Sequence, residues 1–352
     1  MDHSEALLIA GTAVMPGERR QLALPAAQLF TQTPLEMPVE VIRGKKPGPV
    51  LLVCGAIHGN ELNGVEIIRR LRTLATLKRL RGTLILVPVV NLHGYINKSR
   101  YLPDRRDLNR CFPGSPAGSV GSRIANLFFD EIVSHCTHII DLHTAAVHRD
   151  NLPQIRADLS NDAVADMAAG FGIPVIVNAG LIERSLRCEA GNMGIPVITY
   201  EAGEALRLSE RAIVTGVRGI VSTMRSIRML PAGRPRATTM APNIAIGARW
   251  HRAPEDGVFR PLIDLGAKVR KGDTLGFISS AFNSNETAVE ARVTGVVVGI
   301  NRLPLVNEGE ALFNVGIFEA ADDVEEDISL HADRIEDDPL FEPDTVADID
   351  LA

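Results

Sequence analysis

Aromatic residues, long apolar runs and a secretory leader are all scarce or missing in this sequence of 352 residues. Aromatic residues make up only 4% of the chain, so the core must be built from valine, isoleucine, leucine and alanine. No apolar run approaches the ~18 residues of a membrane-spanning helix, so we expect no membrane partner. The N-terminus lacks the cationic and apolar segments of a signal peptide, which favours a cytoplasmic location.

The sequence also lacks paired cysteines. Its four cysteines are scattered, at Cys54, Cys111, Cys136 and Cys188, and none forms a Cys-X-X-Cys pair. Single cysteines in a chain of this length are typical of a reducing compartment. Hydrophobic residues make up 45% and charged residues 23%, close to the globular average, which excludes disorder of the chain as a whole.

Basic residues are almost absent from the last part of the chain. Residues 321–352 contain thirteen acidic residues and one basic residue, so we predict an acidic, disordered tail. The remaining 320 residues carry 36 basic and 30 acidic residues, a net charge of +6. The short pairs Arg69-Arg70 and Arg105-Arg106 have no interleaved aromatics, so we expect no nucleic-acid partner.

Apolar runs alternate with segments of helical period, which predicts an α/β fold with a mainly parallel sheet flanked by helices. The run Val50-Leu51-Leu52-Val53-Cys54 is typical of a strand buried on both faces. The other predicted elements are strands at 83–90, 138–142, 174–177 and 196–200, and helices at 61–77, 122–134, 162–170 and 209–228. Ligands of such sheets bind beyond the carboxyl ends of the strands.

The character of the chain changes near residue 238. We predict a catalytic domain over 1–237 with a β-rich segment at 1–45, and a smaller all-β domain over 238–320. The all-β part resembles the barrel-sandwich hairpin of biotinyl and lipoyl carriers. Those carriers need a lysine at the hairpin tip, where residues 283–287 here read Asn-Ser-Asn-Glu-Thr. A structural role is therefore favoured over a carrier role.

Two histidines and a glutamate stand at predicted strand ends. His58 and Glu61 follow the first buried strand, and His143 ends a later one. Two histidines and one carboxylate are a standard catalytic zinc set, which leaves one position open for water. We expect one zinc ion per chain. Asp141 either orients the His143 ring or caps a strand end.

Four motifs in order resemble the succinylglutamate desuccinylase/aspartoacylase family, which is related to the zinc carboxypeptidases. They are Gly-Ala-Ile-His-Gly-Asn-Glu ending at Glu61, Asp107-Leu108-Asn109-Arg110, Asp141-Leu142-His143-Thr144 and Tyr200-Glu201-Ala202-Gly203. The resemblance covers roughly residues 45–320. It implies a zinc-carboxypeptidase-like fold in which the C-terminal β domain narrows access to the site.

The resemblance also implies roles for individual residues. His58, Glu61 and His143 match the zinc ligands of the family. Asn109 and Arg110 match the pair that grips a substrate carboxylate.

Four further residues concern the reaction itself. Glu201 matches the carboxylate that activates the water on zinc, with Glu204 as its rival. Arg100 matches an arginine that polarises the scissile carbonyl; the alternative is a solvated loop arginine. Arg156 is a candidate for one more substrate contact.

These features predict a zinc-dependent hydrolase that cleaves the amide bond of a small N-acyl amino acid, an anionic substrate with a carboxylate. One alternative is a metallocarboxypeptidase that acts on a peptide C-terminus. An alternative of another class is a non-catalytic lipoyl-like carrier or binding protein. The sequence leaves homo-oligomer formation open.

Overall fold

The structure is a computed structural model that describes residues 5–232, 241–280, 285–338 and 340. The strands are β1 Leu7–Ile9, β2 Thr12–Val14, β3 Arg19–Gln28, β4 Pro34–Arg43, β5 Lys46–Gly55, β6 Arg81–Val87, β7 His138–Ala145, β8 Arg149–Ala157, β9 Val175–Asn178, β10 Val197–Glu204, β11 Asn243–Ala245, β12 Gly247–Arg252, β13 Gly257–Pro261, β14 Lys268–Val269, β15 Thr274–Ser279, β16 Glu286–Glu290, β17 Gly295–Asn301, β18 Leu305–Val306 and β19 Ala311–Ile317. The helices are α1 Asn63–Leu71, α2 Leu92–Ile96, α3 Val120–Glu131, α4 Asp162–Phe171, α5 Leu186–Asn192, α6 Glu210–Ser226 and α7 Ala321–Glu336, with 3₁₀ turns at Ala75–Arg79, Leu108–Arg110 and Val133–His135. In the described part of the chain, no helix has both the length and the apolar character needed to cross a bilayer.

Four parallel strands form the centre of the large sheet, in the order β10-β7-β5-β6. Helices α1, α4 and α6 cover one face of this sheet, and α3 and α5 cover the other. Leu51, Leu52 and Val53 of β5 are therefore fully buried on alternate faces. Burial on both sides is the reason why this strand has an uninterrupted apolar sequence.

The large sheet is mixed, and this corrects the prediction of a mainly parallel sheet. Strand β8 pairs antiparallel with β10, and β3, β4 and β6 pair antiparallel with one another in that order. Only three residues separate the end of β7 from the start of β8. A parallel return needs a crossover of a dozen residues or more, so this short connection makes β8 antiparallel to β7.

Part of the C-terminal strands continues the same sheet, and the others form a second sheet that packs on it. Strand β17 pairs antiparallel with β8, and β19, β12 and β14 extend the sheet from there. A second sheet, β16-β15-β13-β18, packs on this extension around Phe259, Leu275 and Phe313. The predicted domain boundary at residues 237 and 238, and the hairpin-tip residues 283 and 284, lie outside the described residues.

Residues 321–336 form helix α7, which corrects the prediction that the acidic tail is disordered from residue 321. Val324 and Ile335 on one side of this helix are buried, and Leu340 after it is buried as well. Acidic residues near its end pair with α6, in which Arg218 binds Asp338. Because acidic residues dominate this segment, its composition did not indicate the few apolar side chains that pack it against the core. Residues 341–352 lie outside the described residues.

Candidate metal centre and active site

His58 and Glu61 lie on the tight turn that connects β5 to α1. The backbone N–H of Glu61 donates to the His58 carbonyl at 3.0 Å, which folds the two side chains toward each other. The His58 Nδ1 and the Glu61 Oε1 are 2.7 Å apart. Gly59 makes this turn possible, because a Cβ atom there would lie 2.0 Å from the backbone of Gly94.

His143 reaches the same place from the neighbouring strand. Strands β5 and β7 are parallel neighbours, so their carboxyl ends lie at the same edge of the sheet. The His143 Nδ1 is 2.9 Å from the Glu61 Oε2 and 3.2 Å from the His58 Nδ1. All three side chains are buried, and their potential ligand atoms lie within 4.8 Å of one another. The structure thus brings the three predicted zinc ligands together.

A carboxylate holds the far side of each imidazole. The His58 Nε2 lies 3.1 Å from the Asp107 Oδ1, and the His143 Nε2 lies 2.7 Å from the Asp141 Oδ2. A carboxylate oxygen accepts a hydrogen bond from the Nε2–H, so the Nδ1 of each ring faces the cluster. Metal-binding histidines usually have this arrangement.

Of these two carboxylates, the sequence had suggested a role only for Asp141. Asp107 went unassigned, although it opens the Asp107-Leu108-Asn109-Arg110 motif. Its position at the start of this motif was the sequence feature from which a role in the site could have been predicted.

Glu61 is ionised in this setting. Burial by itself raises the pKa of the Glu61 carboxyl, but the positive charge of the His58 and His143 imidazoles and their hydrogen bonds to Glu61 hold that pKa well below its usual range. The backbone N–H of Thr144 also donates to its Oε2 at 3.1 Å. An ionised carboxylate and two imidazole lone pairs are the donor set that zinc takes in catalytic sites. These residues therefore fit the zinc ion that the sequence predicts.

Arg100 lies beside this cluster. Its Nη1 is 3.2 Å from the Glu61 Oε1, and its Nη2 is 3.0 Å from the Asp107 Oδ2. The side chain is 29% exposed, so part of the guanidinium still faces outward. The alternative of a solvated loop arginine does not describe this position, because the guanidinium bridges two carboxylates of the site.

Glu201 lies next to His143 on the sheet. The two residues are register partners in the parallel pair β10–β7, so their side chains emerge on the same face. The Glu201 Oε2 accepts a hydrogen bond from the Asn151 Nδ2 at 3.0 Å, and its Oε1 is 3.9 Å from the Arg156 Nε. Asn151 was not anticipated, because its strand β8 was not predicted.

Glu204 has a different environment from Glu201. The pairing of β10 with β7 changes register between the two glutamates. The Glu204 Oε1 accepts a hydrogen bond from the backbone N–H of His148 at 3.0 Å. Glu204 therefore holds the β7–β8 connection, while Glu201 neighbours the cluster.

Asn109 and Arg110 lie on the 3₁₀ turn that follows Asp107. The Asn109 backbone N–H donates to the Asp107 Oδ1 at 2.8 Å, and the Asn109 Oδ1 accepts from the Leu186 N–H at 2.9 Å. Arg110 is exposed and donates to the Asn109 carbonyl at 2.6 Å. Among the described residues, Arg110 has no acidic partner, so its guanidinium is available to an anionic ligand.

A mixed sheet with this cluster at the carboxyl ends of its central parallel strands defines an α/β protein with a candidate metal centre. Residues 47–227, about half of the chain, match the succinylglutamate desuccinylase/aspartoacylase catalytic domain. The chain belongs to this family, whose enzymes are amide-bond deacylases.

One curated relative is the N-α-acetyl-L-2,4-diaminobutyric acid deacetylase of Halomonas elongata, which is 31% identical over 147 residues. The match covers 40% of this chain and 43% of the relative, so it spans less than half of that enzyme.

Solved structures match over a longer part of the chain. The product-bound ectoine utilization protein EutE (DoeB) of Ruegeria pomeroyi is 25% identical, with a TM-score of 0.75 over 86% of this chain and 97% of that one. A succinylglutamate desuccinylase/aspartoacylase from Rhodobacter sphaeroides is also 25% identical, with a TM-score of 0.75 over 85% of this chain and 95% of that one. The shared fold therefore extends well beyond residues 47–227.

Proposed function

We propose that this protein is a zinc-dependent hydrolase that removes the acyl group from a small N-acyl amino acid. The observation that carries the proposal is the convergence of His58, Glu61 and His143 within 4.8 Å, with Glu201 paired to His143 on the next strand. Family membership supports amide cleavage, since the family consists of deacylases. The relative from Halomonas elongata supports an N-acyl amino acid as substrate.

The three buried side chains would hold one zinc ion, with Asp107 and Asp141 fixing the two rings. Bound zinc would supply a Lewis acid for the amide carbonyl and a lower pKa for a nearby water. The chain itself supplies the geometry of the ligands, because both rings are oriented by carboxylates. It also supplies a largely buried setting, in which electrostatic interactions are stronger than in water.

Glu201 is the proposed proton carrier. It would take a proton from the attacking water and deliver it to the leaving amine. Asn151 holds one oxygen of this carboxylate, and the Arg156 Nε lies 3.9 Å from the other. The Glu201 side chain is 18% exposed, which leaves it accessible to a substrate.

The arginines provide the anion-binding part of the site. Arg100 would donate to the carbonyl oxygen on which negative charge develops during the attack. Asn109 and Arg110 would bind the substrate carboxylate and so fix its position along the site. Arg156 is proposed as a further contact of an anionic substrate. An arginine fork is suited to a carboxylate because two N–H groups match its two oxygens.

A peptide substrate, as in a metallocarboxypeptidase, would use the same metal and the same carboxylate clamp. The continuity of the sheet from β8 into the C-terminal strand β17 favours a small substrate over a peptide. Gly299 of β17 pairs with Asn151 of β8, and Asn151 itself binds Glu201. The C-terminal β region is therefore built directly against the strand that supports Glu201, which leaves less room for a long peptide.

The test combines metal analysis with a substrate screen. We expect about one zinc ion per chain by elemental analysis. We also expect hydrolysis of N-acetyl or N-succinyl amino acids that stops with a chelator and returns with zinc. Short peptides with a free C-terminus serve as the competing substrates. Faster cleavage of the peptides would contradict the proposed substrate class, and hydrolysis that survives complete removal of metal would contradict the proposed mechanism.

A further inference from the structure

A cavity lies at the opposite end of the central sheet from the cluster of His58, Glu61 and His143. It is a cavity of about 1020 Å³ at the amino ends of β5 and β6, between the 3₁₀ turn Ala75–Arg79 and the end of α6. Lys46 begins β5, and His58 follows the end of the same strand. Ten residues at ~3.3 Å each separate the two sites by about 30 Å. This cavity is therefore not part of the candidate active site.

The lining of this cavity is strongly basic. Among the described residues, nine lysines and arginines line it, against one acidic residue, Glu18; one of the nine, Arg19, is already paired with Glu40. We call it the basic cleft and define it by Lys45, Lys46, Lys78, Arg81 and Arg228. In the part of the chain that the structure describes, these five side chains form no ion pair with any aspartate or glutamate.

Helix dipoles explain only part of this charge. The carboxyl end of a helix attracts cations, which accounts for Arg228 after α6 and Lys78 within the 3₁₀ turn. It does not account for Lys45, in the connection between β4 and β5, or for Lys46 and Arg81, which begin β5 and β6. Like charges gathered around one cavity repel one another and lower stability unless anions neutralise them.

The walls of the basic cleft are held by backbone hydrogen bonds. The Gly44 N–H donates to the Gly82 carbonyl at 2.8 Å, and the Arg81 N–H donates to the Met229 carbonyl at 2.8 Å. Lys46 and Arg81 are register partners in the parallel pair β5–β6. The cations are therefore carried by strands and by hydrogen-bonded connections, so the backbone positions from which they extend are fixed before a ligand binds.

The character of the lining indicates the class of ligand. Among the residues that the structure describes, no aromatic side chain lines the cleft, so a nucleobase would find no stacking partner there and recognition would rest on charge. A ligand with one negative charge would leave most of the cations unneutralised. The volume is that of a small-molecule site, ~300–1,000 Å³. Arginine forks and lysine ammonium groups together are the usual binders of phosphate groups.

We propose that the basic cleft binds a small polyphosphate anion. This site is separate from the catalytic one, and its occupant is recognised by several phosphate groups and not by a base. The inference does not depend on the proposed hydrolase activity.

The experiment is isothermal titration of the full chain with inorganic tripolyphosphate at about 0.1 M salt. We expect one ion bound per chain, with an affinity that falls as salt rises, because phosphate contacts displace counter-ions. The double variant Lys78→Glu, Arg228→Glu should bind at least ten-fold more weakly. Both side chains are exposed and form no ion pair among the described residues, so the fold should be kept.

The matched control is Arg123→Glu, an exposed arginine of α3 outside the cleft. It should bind tripolyphosphate like the unaltered protein. Absence of binding to the unaltered protein would overturn the proposal. Equal binding by the double variant would overturn it too. Binding that survives the loss of Lys78 and Arg228 would come from elsewhere, such as chelation of a metal ion at the His58 cluster by tripolyphosphate.

Discussion

Glu201 is the register partner of His143 in the parallel pairing of β10 with β7. This relationship places a carboxylate beside the candidate metal ligands and separates it from Glu204, which binds the His148 backbone instead. Strand pairing therefore decides which of these two glutamates, three residues apart, faces the site.

The first prediction concerns these two glutamates. Glu201→Gln should lower kcat by about 10²–10⁴-fold while zinc content stays near one per chain, because an amide cannot carry the proton. Glu204→Gln is the matched control and should retain activity within about ten-fold, since its neighbour is a backbone N–H outside the reaction. Steady-state kinetics with metal analysis measures both. Full activity in Glu201→Gln would refute the assignment.

The second prediction concerns the carboxylates behind the imidazoles. Asp107→Asn and Asp141→Asn should each weaken zinc binding by about 10–100-fold, because an amide no longer holds its ring in the same way. Competition with a chromogenic chelator measures the affinity. Asp166→Asn, an exposed change on α4, should leave it unaltered. Unchanged affinity in both site variants would show that the rings are oriented by other contacts.

The third prediction concerns acid stability through Glu40 of β4. Arg19 and Arg72 each bind both oxygens of this buried carboxylate, with Nε distances of 2.8 Å. Burial alone raises the pKa of Glu40, but hydrogen bonds from Arg72 and Arg19 outweigh it and lower the pKa to about 2. The stabilisation is therefore fully present above the ordinary pKa near 4.5 and is lost as the pH falls toward 2.

Glu40→Gln should accordingly lower the free energy of unfolding at pH 7 by about 2–3 kcal/mol, after allowance for the partial exposure of the two arginines. The difference from the unaltered protein should shrink as the pH falls from 4.5 toward 2. Urea denaturation at several pH values measures it. Glu36→Gln, at an exposed position of the same strand, is the control and should change stability little. A difference that is constant with pH would exclude the ionised carboxylate as its cause.

The fourth prediction concerns helix α7. Ile335→Asp should destabilise the protein by about 2–4 kcal/mol, because it places an unpaired charge in the cluster that Ile335 shares with Leu71 and Met224. Leu330→Asp on the same helix should have an effect within about 0.5 kcal/mol, since Leu330 is 42% exposed. Thermal unfolding of both variants gives the comparison. Equal effects would mean that α7 does not pack on the core.

The sequence alone determined the three candidate metal ligands and their place in the fold. His58 and Glu61 stand after a continuous apolar strand, and His143 ends another, so parallel pairing of the two strands was enough to predict their convergence. The helix predicted over 209–228 is likewise present as α6, and the Ser209 side chain accepts from the Ala212 N–H at its start. Both signals are local, because each residue is recognised by its place at the end or the start of its own element.

The tertiary structure decided what depends on contacts between distant segments. Strand β8 has weak local periodicity, so its antiparallel place beside β10, and with it Asn151 at Glu201, arose only from sheet pairing. The choice of Glu201 over Glu204 depends on a change of register. Helix α7 is acidic in composition, yet a few buried side chains attach it to the core. The basic cleft, too, exists only because the starts of β5 and β6 meet the end of α6.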